Sequence, residues 1–484
     1  MKLGMMLCAV CVVGVGLAGA EEPLIQRREN FTADPKWEGF RNGLLVPGKF
    51  PHIKQDFGYS ATNYAGGKSP GEIGGTIQRA IQPAWYARVI KPLTLNDSFS
   101  ASGTFAARHV EGGSGAMIGW FHESSRGWRT PNSVGFRIDG NGNRFWAFYE
   151  YGTTLGRTAG AGAFEGERYQ TTSTLPFKGD GKPHRWKLAY DPKGGTGQGG
   201  MRLAIDETTY PEVAFSAEDR ADGMTLNRFG IWNVQIAGAP LELYVDDLVL
   251  NGELISFDQD PKWEGKNNRR EHDERIVRPF HDFGFNLTNH LGGTGGELGG
   301  VIFRDEKPAY YGTDVGRLTL NDRLKASGRI LLEGAAADSG VSLGWFQSEA
   351  KRNQNVPEYE RRSTDRLGIM IEGPSRVGHY FRADYSTSEG GGILDGPDVA
   401  GTGELAILRT DGKVHTWKID YDPEGAGGRG EIEVVFDGAS RKFALRPGDR
   451  ARGATFDRFG MFNLQAGGHH VQVWIDELQF TSRK

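Results

Sequence analysis

The chain is an internal repeat, and the repeat limits what it can fold into more tightly than any other feature. Phe31 and Asp34-Pro35-Lys36-Trp37-Glu38-Gly39 return as Phe257 and Asp260-Pro261-Lys262-Trp263-Glu264-Gly265. Asp56-Phe57-Gly58 returns as Asp282-Phe283-Gly284, Trp120 as Trp345, His184-x-Trp186 as His415-x-Trp417, and Asp246 as Asp476. A register kept this far means two complete domains of about 225 residues each, not a string of small modules. The frame divides the chain into a leader, 1–20, a first domain, 21–252, and a second, 253–484. Residues kept in both copies belong first to the fold or to common binding chemistry. Residues found in one copy only are where a single catalytic centre is sought.

Met1-Lys2, an apolar run to Leu17 and Ala18-Gly19-Ala20 ahead of Glu21 read as an export signal, which predicts a secreted or periplasmic protein. Both cysteines, Cys8 and Cys11, lie in that leader, so the mature chain has no thiol, no disulfide and no lipid-acceptor cysteine. No later apolar run is long enough to span a bilayer. Loss of Lys2 with the leader takes the formal net charge from −4 to −5, which gives nucleic acid no electrostatic footprint. No zinc spacing, nucleophile elbow or phosphate loop is present, so no cofactor is required. Oligomeric state is not set by any motif.

Period-two runs dominate, as in Phe99–Phe105, Arg185–Tyr190, Glu431–Phe436 and Val471–Asp476. Asp-Gly turns at Asp139-Gly140, Asp411-Gly412 and Asp437-Gly438 separate such runs. The expected fold is all-β, two tandem antiparallel β-sandwich (jelly-roll) domains. Asn251-Gly252-Glu253 is the whole spacer between the copies, which predicts a tight join and a fixed two-lobed body.

Gly181-Lys182-x-His184-x-Trp186-x-x-x-Tyr190-Asp191-Pro192, Arg228-Phe229-Gly230 and Tyr244-Val245-Asp246-Asp247-Leu248 resemble the closing strands of the concanavalin A-like lectin/glucanase superfamily, including its laminin G-like members. Gly412-Lys413-x-His415-x-Trp417, Tyr421-Asp422-Pro423, Arg458-Phe459-Gly460 and Trp474-Ile475-Asp476-Glu477-Leu478 repeat the resemblance. It implies sandwiches of curved sheets whose concave face commonly holds saccharides, while fold-level likeness alone fixes no reaction. It also implies a structural calcium between the first and last strands of each copy, with Asp34 and Asp246, and Asp260 and Asp476, as candidate ligands. The bland alternative is that these aspartates are turn residues.

The densest shared polar segment is Asn63, Tyr64, Glu72, Arg79, Trp85 and Tyr86, matched by Asn289, His290, Glu297, Arg304, Tyr310 and Tyr311. Amide, carboxylate, guanidinium and rings are the set that a sugar requires. The same segment reads equally as scaffold, with Glu72 and Arg79 as an ion pair. Trp120 and Trp345, on central strands, are expected to floor the trough, with Tyr149, Tyr151, Gln347 and Tyr385 beside them. Positions that differ between copies are the candidate catalytic groups: Tyr380, Arg382, His122, and the carboxylates Glu123 and Glu150. Tyr380-Phe381-Arg382-Ala383 is similar to the Tyr-Phe-Lys-Ala stretch of jelly-roll alginate lyases, which implies a Tyr and a cation acting on a uronate. Glu123 with Glu150 would instead serve a glycoside hydrolase. The leading expectation is an exported protein that binds a polysaccharide or other glycan on concave sheet faces. A polysaccharide lyase or glycoside hydrolase is the alternative, and a structural envelope or adhesion module the third.

Overall fold

A computed structural model describes residues 22–43, 50–161, 176–277, 280–293, 295–336, 338–349, 362–375, 378–398 and 405–484. The leader 1–20 lies outside them. The described chain forms two antiparallel jelly-roll sandwiches, the class that the alternating runs predict. In the first, a front sheet runs Arg144–Gly152, Ser133–Gly140, Gly115–Phe121, Leu226–Asn233, Trp85–Leu93. Its back sheet runs Gly200–Ile205, Pro183–Asp191, Phe99–Arg108, Pro240–Leu250, Glu72–Gln78, His52–Ser60. The second repeats the plan, with Gly378–Ser386, Arg366–Ser375, Ser339–Phe346, Thr455–Asn463 and Tyr310–Thr319 in front. Its back sheet is built from Glu431–Phe436, His415–Asp422, Leu324–Ala335, His470–Ser482 and Glu297–Phe303.

Sheet membership does not change where the sequence repeat begins. Asn251-Gly252, read as the join, is a two-residue hairpin turn: Leu250 pairs with Glu253 and Leu248 with Ile255, and both turn residues have positive φ, 50° and 85°. Asn-Gly suits that left-handed turn, whose twist matches the flanking strands. The chain stays with the first sandwich through Glu264–Lys266, beside Trp85–Ala87, and Arg269–Asp273, beside His52–Asp56. The matching arm of the second sandwich comes from the other end of the chain. Ile25–Glu29 pairs with Leu478–Ser482 and Glu38–Phe40 with Tyr310–Gly312. The N-terminal segment therefore closes the C-terminal sandwich, as the midchain segment closes the first.

The shared motif supplies both closures. The Asp260 carboxylate accepts from the Lys262 backbone N–H at 2.9 Å, and Lys262 takes a positive φ of 54°; Asp34 and Lys36 do the same at 2.9 Å and 57°. This aspartate turn aims the next residue, Trp263 or Trp37, at the open end of the sandwich. Phe257 and Phe31 bury fully in the cores. Gly71 and Gly296 make room for them, since a Cβ at either would collide with the Phe257 or Phe31 carbonyl, and both have positive φ. A shared glycine here reflects a close backbone approach.

Each core is one apolar layer between front and back sheets, the first around Trp120, Phe136, Trp186 and Tyr190, the second around Trp345, Phe381, Trp417 and Tyr421. The sandwiches also touch. Ala336 of the second joins Trp85, Met117, Phe121 and Trp232 on the outer face of the first front sheet.

Candidate functional site

The outer face of each front sheet was the expected glycan trough, and both faces are closed. In the first, Met117, Phe121 and Trp232 pack with Trp85 beneath Ala336 and Trp128. In the second, Tyr310, Phe346 and Phe462 pack on one another. Trp120 and Trp345, expected to floor the trough, point the other way, into the cores, with no exposed surface. Tyr149, Tyr151 and Tyr385 are buried with them; Tyr151 and Tyr385 donate to Asp219 at 2.6 Å and Asp449 at 2.7 Å. Gln347 donates weakly to Thr455 at 3.4 Å. The physical reason is that Gly115–Phe121 and Ser339–Phe346 are covered on both faces, so the alternation carries no polar side to orient them.

The shared polar segment is scaffold. Glu72 is fully buried and accepts from the Thr62 hydroxyl at 2.5 Å and the Tyr64 and Ala65 N–H groups at 2.9 and 2.8 Å, which folds the loop back on its own strand. Glu297 holds His290 and Leu291 in the same manner. Asn63 and Asn289 donate to the Gly67 and Gly293 carbonyls. Tyr64 lies under Arg108 and against Tyr244, and His290 stacks on Trp474 at 4.2 Å. Arg79 does not pair with Glu72. It reaches Asp139 at 3.6 Å, and Asp139 in turn lies 3.7 Å from Arg137, which lies 3.3 Å from Glu150. Two cations and two carboxylates compensate one another there. Arg304 is buried at the corresponding corner.

The candidate catalytic groups stand apart. Glu123 neighbours His122 at 3.9 Å and Arg228 at 3.6 Å, whereas Glu150 belongs to the Arg137 network, so the two carboxylates have different partners. Arg382 lies over the Tyr380 ring and 3.7 Å from Glu372, itself paired with Arg362 at 2.8 Å. The calcium pairing within a copy is also undone. Asp34 sits on the second sandwich against Tyr311, while Asp246 belongs to the first. Asp260 sits on the first against Tyr86, while Asp476 belongs to the second. Among the described residues no group of three or more His, Cys, Asp or Glu side chains is arranged to hold a metal.

Among the described residues an open cleft lies at the closure of the first sandwich. Tyr59, Tyr86, Asp260, Lys262, Trp263 and Arg269 line a cleft of about 490 Å³. Tyr86 and Asp260 are the only sequence candidates in it. Trp263 is half-buried, stacked at 5.9 Å on Tyr86 and edge-on at 5.5 Å to Phe257. Tyr86 donates to Asp260 at 3.4 Å, and burial pushes its hydroxyl up to about 12. Hydrogen bonds from the Lys262 ammonium and N–H hold the Asp260 carboxyl below its ordinary value. At neutral pH the cleft thus offers a hydroxyl donor, a carboxylate acceptor, two cations and a ring face.

The second sandwich keeps Tyr311, Asp34, Lys36 and Trp37 but not the opening. Phe285 stands for Tyr59 and Gly43 for Arg269, and Trp37 is buried between Tyr311 and Phe480. By strand register Leu250 occupies the position of Phe480 in the first sandwich, which leaves Trp263 without that covering ring. The missed signal was therefore in the sequence, at the unlike residues flanking a like motif.

The chain matches no protein-family model and no curated protein. Among solved structures it is similar to mouse laminin α1 chain domains LG4-5, with 11% identity over 90% of this chain and 93% of that one and a TM-score of 0.24. It is similar to the alginate lyase Aly36B, 10% identical over 39% of this chain and 81% of that one, TM-score 0.24. Peanut lectin is 11% identical over 42% and 90%, TM-score 0.26. Likenesses this distant decide nothing about activity.

Proposed function

We propose that this is an exported carbohydrate-binding protein that takes a glycan at the Trp263 cleft of its first sandwich, one site per chain. The observation that carries the reading is the ring of Trp263, left half-open among hydroxyl, carboxylate and cationic groups in a cleft large enough for one or two sugar rings. A pyranose presents an apolar face that stacks on such a ring and equatorial hydroxyls that need donors and acceptors at its rim. The closed counterpart at Trp37 supports a stoichiometry of one.

Titration calorimetry against plant and algal oligosaccharides tests it. Wild-type protein is expected to bind with a stoichiometry near one. Trp263→Ala is expected to lose at least tenfold in affinity, consistent with about 0.5–1.5 kcal/mol from ring stacking plus the buried area. Trp37→Phe should bind as wild type. Retention of full affinity by Trp263→Ala, or two equal sites per chain, would overturn the assignment.

A further inference from the structure

The charges of the cleft do not cancel. Lys262 and Asp260 satisfy each other, with Nζ to Oδ2 at 2.9 Å. Arg269 is the remaining charge. Its Nη2 donates to the Tyr59 carbonyl at 3.1 Å, which holds the guanidinium on the cleft wall, and among the described residues no carboxylate pairs with it. Its cross-strand neighbour Asp56 stays beyond salt-bridge distance. The guanidinium acts on Tyr86 as well, lowering its hydroxyl against the rise from burial, which places the charge beside the stacking ring pair. Arg269 is exposed, so it keeps N–H donors for a ligand, in a planar fork whose two N–H groups match two oxygens of a carboxylate or sulfate.

We propose that the cleft selects an acidic saccharide, with Arg269 pairing the carboxylate or sulfate of a sugar whose ring stacks on Trp263. This rests on the glycan-binding reading above and adds its ligand class. The distinction between copies supports it: the position of Arg269 is Gly43 in the sandwich whose cleft is closed, so the fold has no need of a cation there. A scaffold arginine would be expected at both closures. The ring supplies affinity for any pyranose and Arg269 supplies the preference, so the two contributions separate by substitution.

The experiment compares three oligosaccharides of equal length, one neutral, one a uronate and one sulfated, on wild type, Arg269→Gln and Trp263→Ala, at low and at near-physiological salt. Wild type is expected to bind one of the two acidic ligands about tenfold more tightly than the neutral one, and which of the two wins identifies the anion. The preference should shrink with added salt as charge screening predicts. Arg269→Gln is expected to bind all three alike, at the affinity of the neutral ligand, and Trp263→Ala to weaken all three. Equal affinities in wild type, or a preference that survives Arg269→Gln, overturn the proposal and leave the glycan site standing. Absence of binding by all three ligands removes both. Arg269 is exposed, and unchanged melting of Arg269→Gln confirms that the readout is binding.

Discussion

Trp120→Ala is expected to destabilise the first sandwich by about 3–5 kcal/mol, the usual cost of emptying a large aromatic site, while leaving glycan affinity unchanged in the fraction that stays folded. Denaturant unfolding followed by calorimetry at a permissive temperature checks both halves. The two tryptophans also differ: Trp345 donates from Nε1 to the Thr481 carbonyl at 2.9 Å, while the Trp120 nitrogen is buried without a partner. Phenylalanine should therefore be better tolerated at 120 than at 345, by about 1 kcal/mol for the hydrogen bond lost at the second site. These residues show where reading from sequence stopped. Periodicity identifies their strands, yet a strand buried on both faces gives no polar side, and Trp on either face reads alike. Glu72 failed differently: a carboxylate among glycines signals a ligand site and a loop brace equally, and only the three hydrogen bonds it accepts decide for the brace.

The arms were legible as sequence and illegible as topology. Phe-x-x-Asp-Pro-Lys-Trp at 31–37 and 257–263 marks two equivalent closures, but a repeat looks the same whether each arm serves its own copy or the other. Chain order settles it. The second arm follows Leu250 through a two-residue hairpin and can only reach the first sandwich, which leaves the N-terminal arm to complete the second. Deleting residues 22–43 should then open the second sandwich, exposing Tyr311 and Phe480 and removing the edge on Leu478–Ser482, with little effect on the first. Hydrogen exchange read by peptide is the measurement: faster exchange in 470–482 with 240–250 unchanged is expected. Faster exchange confined to the first sandwich would contradict the pairing.

Acid should distinguish the two sandwiches, because among the described residues the histidines that burial depresses most strongly lie in the second, while the first has a smaller depression at His272. Burial depresses His281 and His379 to about 4, and His470 to about 3, helped there by the neighbouring His469 and His379 charges. By strand register the first sandwich has Gln55, Phe145 and Pro240 at these positions. A histidine held neutral when folded takes up its proton first when unfolded, so its contribution to stability is present above its ordinary value near 6.5 and is lost as pH falls toward 4. The last-strand aspartates work in the opposite sense. Burial raises Asp246 to about 6 and raises Asp476 as well, so the folded form holds those protons more tightly and acidification relieves a penalty that the neutral protein carries. That relief occurs in both sandwiches, whereas the loss at histidine is larger in the second, the first having the smaller depression at His272. Between pH 7 and pH 5 the exchange-protected core around Val471–Ile475 should therefore lose stability relative to the core around Leu241–Val245. Substituting His379→Phe, the residue found at the matching position, should reduce that difference, and an equal pH response of the two cores in the unsubstituted protein would count against the histidine account.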